Sequence, residues 1–255
     1  AAIQFCLTIK CLFSLPLRQT LGLVQSLLKM AGLPWTAPDY STVCRRQKGL
    51  DVQVHYRPSG DGLHMLADST GIKFLGEGEW KTKKHGAERR RQWHKVHLGI
   101  DAQTLQIRAI TVTTNEVGDS PMAAVLLGQI PSHEQVASFT GDGAYDTKDV
   151  HEACYLRGAI PIIPPRKGAK LRKGLAFTHR NEAVKACRRL GRAIWKKWSG
   201  YHRRSLVETK MNCFKRLGER VMARTFERQV AELNIRASIL NQFTALGTPQ
   251  TVAAA

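Results

Sequence analysis

Acidic residues are scarce in this chain: its 255 residues include 20 Asp and Glu against 39 Lys and Arg, a formal net charge of +19 at pH 7. So large an imbalance excludes a self-compensated surface. The field it creates draws polyanions and speeds their encounter, while saying nothing about fold. Cysteine motifs are missing too. Cys6, Cys11, Cys44, Cys154, Cys187 and Cys213 are scattered, with no Cys-x-x-Cys pair and no Cys/His zinc spacing. No structural zinc is therefore expected, and the thiols are expected to stay reduced in a cytoplasmic compartment. His94 and His97 stand three apart in a segment that reads as strand, which turns them to opposite faces. Long uncharged apolar stretches are also absent. Residues 1–17 are strongly apolar, yet Gln4 and Lys10 interrupt them and no charged-start, small-residue cleavage pattern follows. A buried helix is expected there, not a signal peptide or a membrane span. The chain opens on Ala1, not Met, which leaves open whether residues precede it. No internal repeat or long linker is evident, and the length suffices for one good core with a small accessory domain.

What is abundant is positive charge, unevenly placed. Fourteen Lys and Arg lie between Pro164 and Arg204 against the single acid Glu182, and seven lie between Lys81 and Lys95 against Glu88. Nucleic acid is the polyanion such clusters suit. Trp80, Trp93, Trp195 and Trp198 sit in or beside these runs, either as core anchors or as rings on which unpaired bases stack.

The richest segment runs from Tyr201 through Arg204 and Glu208 to Lys215. Read as one helix, at about 100° per residue, it gathers these four side chains within a wedge of roughly 60°. A carboxylate then shares a helix face with two cations and a phenol, able to ligate metal while its neighbours hold phosphate. Two aspartates lie upstream. Residues 63–67 read as a buried strand ending at Asp68 before a small-residue turn. Residues 136–140 repeat the design before Asp142, with Gly141 and Gly143 beside it. Three converging carboxylates need a cation, and Mg²⁺, with its preference for oxygen ligands, is the natural one. Asp146 reads as the N-cap of the helix after it, and Asp101 as a hairpin-turn residue.

The spacing Tyr201, Arg204, Glu208, Lys215, together with Asp68 and the Asp142-Gly-Ala-Tyr145-Asp146 run, resembles the DDE transposases of bacterial insertion sequences, in particular the insertion-sequence-four and -five families. The likeness extends from about Ser14 to Gly247 and includes Trp198-Ser-Gly-Tyr-His-Arg-Arg204. The resemblance implies a ribonuclease H-like mixed sheet with flanking helices. It makes Asp68, Asp142 and Glu208 the catalytic metal ligands, and Tyr201, Arg204 and Lys215 contacts to the transposon end. It also implies binding of terminal inverted repeats, strand cleavage and 3′-end joining to target DNA, and a homodimer in a synaptic complex. Two Mg²⁺ ions (or Mn²⁺) roughly 3.5–4 Å apart are the implied cofactor. A truncated, non-cutting DNA-binding copy and a plain ribonuclease H-like nuclease are the alternatives.

Three regions follow along the chain: residues 1–60 as a helical module, residues 61–247 as the catalytic domain with a basic insertion at 164–200, and residues 248–255 as a disordered tail. In the first, Ser14 caps a helix with Pro16 in its first turn, and Leu17, Leu21, Val24 and Leu28 recur at helical spacing. Asp39 or Ser41 opens a second helix carrying Arg45, Arg46 and Lys48. This resembles a helix-turn-helix whose second helix would enter the major groove and touch phosphate; a helical hairpin packed on the catalytic domain fits equally. Beyond it, strands are predicted at 63–67, 93–100, 105–113, 136–140 and 159–163, the second and third as an antiparallel pair. Helices are predicted at 119–129 and 147–156. Val184, Cys187, Leu190, Ile194 and Trp198 mark one amphipathic helix. A last helix from Phe226 to near Gly247 is expected to pack on the sheet or to serve a dimer contact.

Overall fold

A computed structural model describes residues 1–74 and 93–247. The elements of its first half are α1 (Ala2–Phe13), α2 (Leu17–Met30), α3 (Tyr40–Arg46), β1 (Leu63–Phe74), β2 (Trp93–Asp101), β3 (Ile107–Thr114) and α4 (Met122–Gly128). Then come β4 (Val136–Thr140), α5 (Lys148–Leu156), β5 (Ile160–Ile162), α6 (Thr178–Leu190), α7 (Arg192–Trp198), α8 (Ser205–Arg216), β6 (Arg220–Val221) and α9 (Phe226–Leu246). The described residues fall into two compact units, one of residues 1–55, 73–74 and 213–247, the other of residues 56–72 and 93–212. Trp80, the basic residues 81–91 and the tail 248–255 lie outside the described residues.

The second unit is built on a sheet with strand order β3-β2-β1-β4-β5. β2 and β3 pair antiparallel, from His94 opposite Thr114 to Ile100 opposite Ile107. Their connection turns at Asp101, whose carboxylate accepts the N–H groups of Gln103 (3.0 Å) and Thr104 (3.2 Å), as the hairpin reading expects. β4 runs parallel to β1, with Leu66 opposite Thr140, and β5 runs parallel to β4. Parallel neighbours need long crossovers, and α5 supplies the one between β4 and β5. Leu63, Met65, Ala67, Val136 and Phe139 from the strands join Leu126, Val150 and Cys154 from α4 and α5, and Ile130 just past α4, in one core. A mixed sheet flanked by helices in this order makes the fold ribonuclease H-like.

In the first unit, α1, α2, α3 and α9 share a core of Cys6, Leu7, Ile9, Leu21, Val24, Val43, Ile235 and Ile239. Lys10, the cation that interrupts the apolar opening, is buried against Glu232 (3.4 Å). Glu232 also pairs with Arg236 (2.9 Å) and accepts the N–H of Met222 (3.0 Å) and Ala223 (3.1 Å). A buried charge is tolerable only when paired and hydrogen-bonded in this way. Lys73 and Phe74, the last residues of β1, pair in parallel with β6.

Several expectations need correction. β1 does not stop before Asp68 but runs through Ser69 and Gly71 to Phe74, because Ser and Thr sit as readily in a strand as in a turn. Ser14 closes α1 in a left-handed conformation (φ 52°) and does not cap the next helix, whose N-cap is Pro16. The amphipathic stripe from Val184 to Trp198 lies on two helices, broken at Gly191, whose φ of 85° an L-side chain rarely adopts. α9 packs its Ile235 and Ile239 into the core of the N-terminal helices, and its Arg236 donates to the Arg220 carbonyl of β6.

Candidate active site

Asp68 lies on β1, and Asp142 lies two residues past the end of β4, the parallel neighbour of β1. Leu66 stands opposite Thr140, and two residues further on in each chain are Asp68 and Asp142. Equal offsets from that paired position bring the two acids near enough for the charge of Asp142 to act on Asp68. Asp142 leaves β4 in an extended conformation and its Oδ1 accepts the Ala144 N–H (2.8 Å), capping a short 3₁₀ turn over Gly143–Tyr145. A Cβ at Gly141 would meet the Tyr145 ring at 2.7 Å, so only glycine lets that ring pack beside the strand end. Burial raises the Asp68 pKa; the Ser69 N–H and Arg204 oppose the rise, and the like charge of Asp142 adds to it.

Arg204 is the hub. Its Nη1 donates to Asp68 Oδ2 (2.5 Å), and its Nη2 donates to Glu208 Oε1. One guanidinium thus joins two carboxylates that lie 140 positions apart. The segment carrying it is not one helix: Tyr201–Arg204 is a 3₁₀ turn and α8 begins at Ser205. Arg204 and Glu208 still meet, as an i,i+4 pair does across such a junction. Tyr201 packs on Trp195, ring centroids 5.8 Å apart. Burial raises the pKa of its phenol, Arg204 opposes, and Asp142 and Asp68 add to the rise. Tyr201 is therefore in the same electrostatic neighbourhood. Glu208, in the first turn of α8, keeps half its side chain exposed (52%). It borders a cavity of about 400 Å³ lined also by Lys196, Lys197, Tyr201, His202 and Arg204.

The three acids thus come together as a neighbouring pair and, through Arg204, a third member. Among the described residues no three His, Cys, Asp or Glu side chains are spaced to hold one metal ion directly. The chemistry of the donors nonetheless suits a hard cation: Asp68 and Glu208 already share a positive centre, and every donor is oxygen. Lys215, near the far end of α8, belongs to the first unit. So do Arg45, Arg46 and Lys48, all exposed; Asp39 caps α3, which carries the two arginines, by accepting the Ser41 N–H (2.9 Å), and Lys48 lies on the 3₁₀ turn that follows. Of the tryptophans, Trp195 is buried (3%) and anchors the core, whereas Trp198 is exposed (75%).

Asp146 is not a helix cap. Its buried carboxylate accepts from Arg180 Nε (2.7 Å), His151 Nε2 (3.0 Å) and the Arg166 N–H (3.0 Å), while Thr147 takes the N-cap position. Although burial works the other way, these partners hold its pKa well below the usual carboxylate range. A folded pKa below the unfolded value of about 3.9 means stability fully present above that pH and lost as pH falls further. Asp146→Ala strands Arg180 in the interior and is expected to cost about 3–5 kcal/mol at pH 7. Thermal unfolding followed from pH 7 to below pH 4 should show the gap between variant and wild type narrowing with acid.

Sequence reading passed over Asp119 except as a helix start. Its Oδ1 accepts from Ser69 Oγ (2.7 Å) and Lys95 Nζ (3.2 Å), and the Nδ1 of the buried His97 lies 3.7 Å away. Lys95, counted above with a DNA-binding cluster, is held by that carboxylate and by the Val117 carbonyl (3.0 Å). A Gly-Asp-Ser-Pro run signals only a turn into a helix, so no local pattern could have singled it out.

Against known families, two models described as Transposase DDE domain match, one over residues 1–77 and one over residues 59–242. No solved structure matches the chain. Among the described residues no helix is long and apolar enough to cross a membrane. A match spanning well over half the sequence, on a mixed sheet flanked by helices, makes the chain a member of the DDE transposase family.

Proposed function

We propose that the protein binds the terminal inverted repeats of its own element, cleaves the DNA there, and joins the freed 3′-ends to target DNA. The observation that carries this reading is the Arg204 bridge between Asp68 and Glu208 beside Asp142, facing a cavity walled by cations. Asp68, Asp142 and Glu208 are the residues that would hold divalent cations, Mg²⁺ or Mn²⁺. When bound, such ions neutralise phosphate charge and lower the pKa of an attacking water or 3′-hydroxyl. The chain's own part is positioning and charge placement, the main contribution in phosphoryl transfer.

Lys196 and Lys197 face the cavity from α7, and Tyr201 and Arg204 flank Glu208, so a DNA strand laid there meets cations on one side and acids on the other. Arg204 can exchange its carboxylate partners for a phosphate, a bidentate match of equal geometry. Lys215, and Arg45, Arg46 and Lys48 on the N-terminal helices, would add backbone contacts that fix register without reading sequence. Two ends cut together call for a homodimer or larger synaptic complex, acting on the cell's DNA in the bacterial cytoplasm.

The test is an assay with a duplex carrying the repeats that flank the coding region, target plasmid and Mg²⁺. The expected product is the repeat end covalently joined to the plasmid through its 3′-oxygen. Nicking without joining would reassign the protein as a nuclease, and binding without either would make it a non-cutting repeat-binding copy.

A further inference from the structure

Asp119 lies next to the proposed metal ligands without being one of them. Its Oδ1 accepts the Ser69 hydroxyl at 2.7 Å, and the Ser69 backbone N–H donates to Asp68 Oδ1 at 2.8 Å. Ser69 is thus a two-way link: its main chain holds one oxygen of Asp68 and its side chain is tied to Asp119, 50 positions away. With Oδ1 of Asp68 engaged, Oδ2 is the oxygen presented outward, and it is the one that meets Arg204.

Asp119 is itself neutralised. Lys95 donates to it at 3.2 Å and is fixed at its other side by the Val117 carbonyl at 3.0 Å. His97 stands behind, its Nε2 within 2.9 Å of Thr113 Oγ1. A carboxylate balanced by its own lysine adds little repulsion to Asp68 and Asp142 while remaining a strong hydrogen-bond acceptor. The Tyr145 hydroxyl, almost wholly buried (1%), has no hydrogen-bond partner among the described residues. Burial raises its pKa and the fields of Asp119, Asp68 and Asp142 add to the rise. The charges of all three acids therefore act on one buried phenol.

We infer that Asp119 is a positioning residue: through the Ser69 hydroxyl it locks the Asp68 carboxylate so that Oδ2 is aimed at the cation site. This rests on the reading of Asp68 as a metal ligand. Partners of this outer kind tune metal affinity by about 10–100-fold.

The test measures Mn²⁺ affinity of the purified full chain by electron paramagnetic resonance of free Mn²⁺, alongside thermal unfolding. Asp119→Ala is expected to weaken Mn²⁺ binding by about 10–100-fold. Ser69→Ala, which removes only one oxygen atom, is expected to do the same. The double variant should be no weaker than the worse single one, since both act through one link. Asp119→Asn, which keeps an acceptor for Ser69, should recover most of the loss. Unchanged affinity in Ser69→Ala, or losses that multiply in the double variant, overturns the positioning role. Asp68→Asn separates the two readings. If it leaves Mn²⁺ binding intact, the ligand assignment itself fails; if it abolishes binding while Asp119→Ala does nothing, only the present inference fails.

Discussion

Glu208→Gln and Asp142→Asn are each expected to lower divalent-ion-dependent strand cleavage by about a thousandfold or more. Both replacements keep size and shape and remove one negative charge. Several kcal/mol of transition-state charge stabilisation go with it, and each 1.36 kcal/mol is tenfold in rate. DNA binding should persist in both, because the cations that meet phosphate are untouched; removing an acid from so basic a chain should if anything tighten it. The measurement is single-turnover cleavage of an end-labelled duplex together with a binding isotherm at the same salt. Cleavage near the wild-type rate in either variant would remove that residue from the site.

Arg204→Gln should act in two opposite directions. In the free protein its guanidinium neutralises Asp68 and Glu208, so a divalent ion must displace it from both. A hydrogen bond to a charged group is worth about 1.5–3 kcal/mol; losing that competition should tighten Mn²⁺ binding by about tenfold or more. DNA binding should weaken, with the slope of log K against log salt falling by about one for the lost phosphate contact. In the wild type, DNA that takes up Arg204 should tighten metal binding, and metal should tighten DNA binding by the same factor. The variant should lose that coupling. Titrating Mn²⁺ with and without duplex DNA reads all three quantities, and a salt slope equal to wild type would show that Arg204 meets no phosphate.

Much of this protein is legible along its chain, and the parts that are share a cause. The buried strand before Asp142, the antiparallel hairpin closed at Asp101 and the helix ending at Gly247 are local patterns, set by side-chain period and by turn chemistry within a few residues. The order of Asp68, Asp142 and Glu208 is likewise read in one dimension, as is the surplus of cations. Where reading failed, two physical signals competed. Ser69 to Gly71 looks like a turn by composition, yet pairing with neighbours carries β1 straight through it. Tyr201 to Lys215 fits one helical wedge, yet Gly200 and a tight 3₁₀ turn precede the true helix.

Other features have no local signal at all. Lys10 looks like a flaw in an apolar helix until Glu232, 222 positions later, is folded against it. Asp146 looks like a cap until Arg180 and His151 close around it. Asp119 looks like a helix start until Ser69 connects it to Asp68. The chemical groups, their order, and the strand and helix periods that carry them are all written along the chain. Which charges meet is settled by folding alone, because an ion pair between distant residues leaves no period or spacing in the chain and is selected by the packing that brings its partners together.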